Sequence, residues 1–154
     1  MKISLFAGAF FAIALTAAPI IVLPEKPTLQ EKTAARELAL HLKLATGKPI
    51  RTASEKTASS SPGKKIYVGK TRFSQKCKTD FSKLGQEEWY VRAFSPDALV
   101  IAGGFPRGTL YGVYEFLENN LNAMWLDETN IFIDKVKSVT WKKDLFLRGK
   151  PGIP

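Results

Sequence analysis

Residues 98–118, ALVIAGGFPRGTLYGVYEFLE, decide how the rest of the chain is read. Leu99, Val100 and Ile101 form a β-rich apolar run, Gly103, Gly104 and Pro106 are turn residues, and Leu110, Val113, Tyr114, Leu117 and Leu121 recur at helical spacing. The stretch is a strand that turns through glycines into an apolar helix from about Arg107 to Asn120, with Asn119, Asn120 and Asn122 at its end. A glycine-rich turn feeding a helix N-terminus is also where phosphates are held. Gly103 and Gly108 have the spacing of the first and last glycines of a phosphate loop, but Thr109 stands where that loop needs its Lys. Phe105 stands where a dinucleotide fingerprint needs its second glycine. The residues favour a packing joint in which Gly103 and Gly104 permit a sharp turn, while Gly108 and Gly112 let the helix approach a sheet.

Working outward, WYVRAF (89–94) alternates as a strand, and SPD (95–97) is the turn of a hairpin with residues 98–102. KKIYV (64–68) is a strand closed by Gly69, and residues 71–84 form a short helix or loop. Ile20–Leu23 is a first strand closed by Pro24 and Pro27. Thr28 with Glu31 makes a capping-box pattern, and Leu29, Ala35, Leu38, Leu42 and Ala45 lie along one helix face up to Gly47, placed as a C-terminal cap. His41 falls off that stripe and is expected at the surface or half-buried; with no second His or Cys nearby it is not a metal ligand. Residues 49–52 are a brief strand, and TASEKTASSSPGKK (52–65) is a surface loop. Downstream, Trp125-Leu126 and Ile131–Ile133 are short apolar pieces, and Leu145–Leu147 needs a sheet or barrel that the chain is not expected to supply.

At 154 residues, 45% hydrophobic, the chain has room for one domain with a real core. Its start is different: Lys2 precedes the apolar run ISLFAGAFFAIALTAA (3–18), which ends in small residues and matches a secretory signal peptide, an uncleaved N-terminal anchor being the alternative. Cys77 is the sole cysteine, so no disulfide forms within the chain; Lys76 and Lys78 would lower its pKa if it is exposed. Net charge is +9, one less once Lys2 leaves, yet the lysines are scattered and read as a solvated surface, not a nucleic-acid site. Glu87 and Glu88 are adjacent, Glu115 and Glu118 sit on a helix surface, and neither pair promises the carboxyl separation of a glycosidase. Ser59–Ser61 lack an elbow and a partner His, and Trp125 and Trp141 are core or edge anchors before they are sugar platforms. Catalytic, metal-binding and cofactor-binding residues are accordingly expected to be none.

The order of pieces then becomes familiar. EKTAARELALHLKLATGKPI (31–50), KKIYVGK (64–70) and LGQEEWYVRAFSPDALVIAGGFPRGTLYGVYEFLENNLNAMWL (84–126) together resemble the N-terminal α/β domain that precedes the catalytic barrel in family 67 α-glucuronidases and family 20 β-hexosaminidases. The resemblance runs from about Ile20 to Val139 and is most specific in AGG-x-x-RGTLYGVYEFLE. It implies an α+β fold, a small mixed β-sheet with two main helices packed on one face, which supports a barrel and does no chemistry itself. It divides the chain into a signal peptide (1–18), the accessory domain (19–140) and the start of a missing barrel (141–154), Leu145–Gly149 being similar to the first barrel strand. In family 20 the arginine of such an Arg-Gly pair binds the sugar, so Arg148 is the one substrate-binding position carried over, for a full-length parent only; KPGIP (150–154) replaces the charged residues expected next. The expectation is a secreted or periplasmic, non-catalytic domain of an α-glucuronidase-like glycoside hydrolase for polysaccharide degradation, truncated before its barrel. Its partners are that barrel and polysaccharide, with no nucleic acid, no stable membrane insertion after signal cleavage and no cofactor. A different class is a free-standing exported module whose basic surface and exposed tryptophans hold an acidic polysaccharide. A third is a small nucleotide-binding enzyme built on the Gly103–Thr109 turn.

Overall fold

Two-residue alternation splits the apolar strands between two covered faces: Ile21, Ile66, Val91, Leu99 and Ile101 belong to one buried cluster, while Val22, Tyr90, Val100 and Ala102 belong to clusters on the reverse side. Runs such as IIVL and LVIA are apolar throughout because both faces are buried. The computed structural model describes residues 18–77, 81–127 and 130–152. Its strands are β1 (Ile20–Leu23), β2 (Thr52–Ser54), β3 (Lys65–Val68), β4 (Trp89–Ser95), β5 (Ala98–Gly103), β6 (Met124–Trp125), β7 (Ile131–Phe132) and β8 (Phe146–Gly149). The helices are α1 (Leu29–Thr46), α2 (Glu55–Ala58), α3 (Arg72–Lys76) and α4 (Gly108–Leu121). Six strands form one mixed sheet in the order β2-β1-β3-β5-β4-β8, and β6 pairs with β7. The first four of that order run parallel, and β4 is antiparallel to both of its neighbours. The α+β class expected from the sequence is therefore the observed one, with α1 and α4 packed against each other and on the same face.

Helix α1 begins and ends where the sequence places its caps. Thr28 accepts from the Glu31 amide while the Glu31 carboxylate accepts from the Thr28 amide at 2.8 Å, and Gly47 closes the helix at φ 69°. The same carboxylate, buried, also accepts from the Lys70 amide at 2.8 Å, tying the start of α1 to the turn after β3. There Gly69 has φ +84°, and a Cβ on it would run into the Glu31 side chain. One position of the expected stripe is wrong. Leu29 is 74% exposed, because it stands nine residues before Leu38 and at about 100° per residue faces the opposite way. His41 is corrected by the same geometry: three residues on from Leu38, it lies within the buried arc and is only 2% exposed. Its ring meets Trp125 at 5.6 Å and Tyr114 at 6.5 Å between centroids. Nδ1 donates to the Glu37 carbonyl at 2.7 Å, and Nε2 has no hydrogen-bond partner among the described residues.

Two further expectations give way to long-range pairing. The stretch read as a loop at 52–65 holds β2, which pairs with β1 as the sheet's edge, and α2, whose start is capped by the Ser54 hydroxyl accepting from the Thr57 amide. The brief strand expected at 49–52 is thereby displaced to 52–54. Leu145 and Leu147 do find cover within the chain, packing against the main core as β8 pairs with β4 from Arg92↔Phe146 to Trp89↔Gly149, while Phe146 between them stays exposed. Trp141 is a core anchor, its indole N–H donating to the Ser95 carbonyl at 3.0 Å. The leader segment lies outside the described residues apart from its last position.

Candidate functional site: a clasped turn, an aromatic groove and a charged cavity

The turn from Gly103 to Thr109 is filled by a second piece of backbone, residues 85–88. The Gly104 amide donates to the Glu88 carbonyl at 2.8 Å, the Glu87 amide to the Phe105 carbonyl at 3.3 Å, and the Gly108 amide to the Gly104 carbonyl at 2.9 Å. A Cβ at Gly104 would strike the Gly85 carbonyl oxygen, one at Gly103 the Gly108 backbone, and one at Gly108 the Glu88 carbonyl oxygen. Glu87 adopts φ 59° to make this contact, and Arg107 donates to its carboxylate at 2.7 Å. The glycines are thus required by backbone meeting backbone, two turn amides are already bonded, and two carboxylates stand beside them. With the Gly104 and Gly108 amides bonded to backbone and the Arg107 guanidinium paired with Glu87, the arrangement is that of a joint and not of a phosphate cradle. The packing-joint reading of the turn holds.

Beside the joint, on the helix side, lies a groove of about 500 Å³ lined by Trp89, Tyr111, Tyr114 and Trp125, with Glu115 and Glu118 at its rim and Pro151 and Gly152 beside it. Trp89 meets Tyr111 edge-on at 6.4 Å and Tyr114 meets Trp125 at 5.0 Å, so the rings brace one another while each remains partly exposed. Burial, then the Glu118 charge, pushes the Glu115 carboxyl above its usual range, and burial, then Glu37, pushes the Tyr114 phenol up. Arg148, the single position carried over as substrate-binding, is on β8 near the groove. Its guanidinium donates to Glu88, and this hydrogen bond, followed by the Gly85 amide, holds the Glu88 carboxyl below the usual range. Gly149 has a reason within this domain, since a Cβ on it would enter the Trp89 indole.

The reverse face carries a second concavity, of about 510 Å³, between α2 and α3. Its floor includes Val22, Ala58 and Tyr67, and the Tyr67 and Phe73 rings stack at 4.1 Å and 11°. Lys56, Lys65, Arg72 and Lys76 line it together with Glu25 and Glu55. Inspection of the sequence did not single out this group. Its signals were the alternation of KIYV, which turns Tyr67 away from Ile66 and Val68, and Thr71, which caps α3 by accepting from the Ser74 amide. Cys77, at the end of α3, is half-buried, and burial pushes its thiol up despite the opposing Arg92 charge; the lowering by Lys76 and Lys78 is expected for an exposed thiol, a condition Cys77 does not meet, and Lys78 lies outside the described residues.

Among the described residues, no group of three or more His, Cys, Asp or Glu is placed to hold a metal, and no helix is long and apolar enough to cross a membrane. A search of curated proteins gave no match. Among solved structures, a GH138 enzyme targeting pectin rhamnogalacturonan II is similar at 16% identity and a TM-score of 0.42, over 65% of this chain and 10% of that one. This chain thus spans about a tenth of that relative's length. The family profile described as Glycosyl hydrolase family 67 N-terminus matches residues 13–116, a span that holds α1, the clasped glycine turn and most of α4. With more than half of its length matched, the chain belongs to the glycosyl hydrolase family 67 N-terminus family.

Proposed function

We propose that this domain is the non-catalytic support of an exported, α-glucuronidase-like glycoside hydrolase of polysaccharide breakdown, and that the aromatic groove is its contact with the catalytic barrel. The observation that carries this is the position of the groove. Four partly exposed aromatic side chains stand together where the backbone leaves β8, and Pro151 and Gly152 already lie along them. Clustered aromatic surface of this kind suits the buried centre of an interface. On this reading residues 150–152, which follow β8 along the groove, would lead from the sheet toward the barrel. Arg148, engaged with Glu88, would have to exchange that carboxylate for a sugar in order to bind substrate. The test is to co-express the chain with a family 67 barrel that lacks its own N-terminal domain. A complex is expected, weakened by Trp125→Arg, while the chain alone releases no uronic acid from glucuronate-bearing oligosaccharides. Release at enzyme-like rates, or a complex indifferent to Trp125→Arg, would overturn the proposal.

A further inference from the structure

We infer that the reverse-face cavity binds a carboxylate-bearing saccharide, a hexuronate unit of an acidic glycan. Its volume of about 510 Å³ lies within the range of small-ligand sites. The stacked Tyr67 and Phe73 rings offer an apolar aromatic surface of the kind against which the C–H face of a pyranose lies. Three cations at the walls are uncommitted. The side chains of Lys56, Arg72 and Lys76 have neither an ion pair nor a hydrogen bond among the described residues, whereas the Lys65 ammonium is already given to the Ser61 carbonyl at 2.8 Å. A planar guanidinium with two ammonium groups around one concavity is a donor set for a carboxylate.

Two carboxylates in the same lining decide which anion fits. Glu25 accepts from the Lys56 amide at 2.7 Å and Glu55 from the Phe73 amide at 3.2 Å, so each is fixed in place by one oxygen and has the other for a hydroxyl group. A single carboxylate surrounded by hydroxyls matches this mixture of four cations and two acids. A di- or triphosphate would bring several negative charges against both carboxylates. Burial, and then the Glu55 charge, pushes the Tyr67 phenol up, which keeps its hydroxyl protonated and available as a donor. The site lies across the sheet from the aromatic groove, so it stays open when that groove is covered, and it stands or falls independently of the barrel contact.

Calorimetric titration of the chain with trigalacturonate, beside its methyl-esterified form, pyrophosphate and ATP, tests the inference. Saturable binding of the free acid is expected, weakening several-fold between about 20 and about 200 mM salt. Arg72→Glu and Lys76→Glu, both at exposed positions, should each lower affinity by about tenfold or more, while the charge-matched control Lys142→Glu leaves it within about twofold. Tyr67→Phe should weaken binding without altering the thermal midpoint. Equal binding of the methyl ester, tighter binding of pyrophosphate or ATP, an equal loss in Lys142→Glu, or no saturable signal at about 10 mM sugar would each overturn it.

Discussion

At the scale of single residues, the glycines of the 103–112 stretch are unequal. Gly103, Gly104 and Gly108 face backbone that cannot move aside, whereas a Cβ at Gly112 would meet the Ile101 Cγ2 methyl at 3.1 Å, a side-chain atom that has to give way by only a few tenths of an ångström. Alanine at Gly112 also gains about 1 kcal/mol of helix propensity. Gly112→Ala should therefore change stability by less than about 1 kcal/mol, Gly112→Val should cost about 1–3 kcal/mol by overpacking, and Gly108→Ala should cost more than about 2 kcal/mol. Denaturant titration of the three variants checks the order, and a Gly108→Ala chain as stable as the parent would contradict the clasp. The joint itself was legible in the sequence, because a missing Lys and a missing middle glycine already argued against a phosphate. The partner backbone at 85–88 was not, since nothing local announces that two turns will meet. His41 was missed for a smaller reason: a stripe anchored on Leu29 is rotated away from the true buried arc.

Elements that depend on local chemistry were legible, and those that depend on distant partners were not. The α1 caps, the β4–β5 hairpin and the extent of α4 follow from residues within a few positions of one another. Strand β2 and strand β8 exist because β1 and β4 offer them open edges, and a polar or isolated stretch does not display that. Strand β8 also carries a pH dependence. Glu88, held by Arg148, titrates lower in the folded chain than in the unfolded one, so its contribution is complete above the ordinary carboxylate pKa and is lost as pH falls through its own depressed value. Hydrogen exchange corrected for intrinsic rates should show β8 amides losing protection in that acidic window in the parent, while Glu88→Gln shows lower protection that no longer varies there. Identical pH profiles in the two proteins would mean that the ion pair does not hold the strand.

For the whole molecule, one sheet serves both covered faces, and the main core draws its buried residues from α1, α4, the four strands β1, β3, β4 and β5, and coil that includes Val139 and Trp141. Loss of either face exposes the other through the shared strands. Thermal unfolding should consequently be a single transition, with far-UV circular dichroism and the combined signal of Trp89, Trp125 and Trp141 coinciding; separated midpoints would show that the faces melt independently. The fold class and the family of the domain could be anticipated from the order of pieces, because capped helices and apolar strands repeat the arrangement of a known N-terminal domain. Neither concavity could. The groove joins Trp89 to Trp125 and Pro151, and the reverse-face cavity joins Val22 to Glu55, Tyr67 and Arg72, so each is assembled from elements scattered along the chain. Strand β8 has a consequence for biosynthesis. Strand β4 is made more than fifty residues before its outer neighbour, so throughout that interval a nascent chain presents an unpaired edge beside its own ribosome. The arrival of residues 146–149 takes the seven-residue β4 out of that exposed position and leaves a strand of only four residues at the rim, so the part of the sheet a stranger could pair with on that side shrinks at that moment.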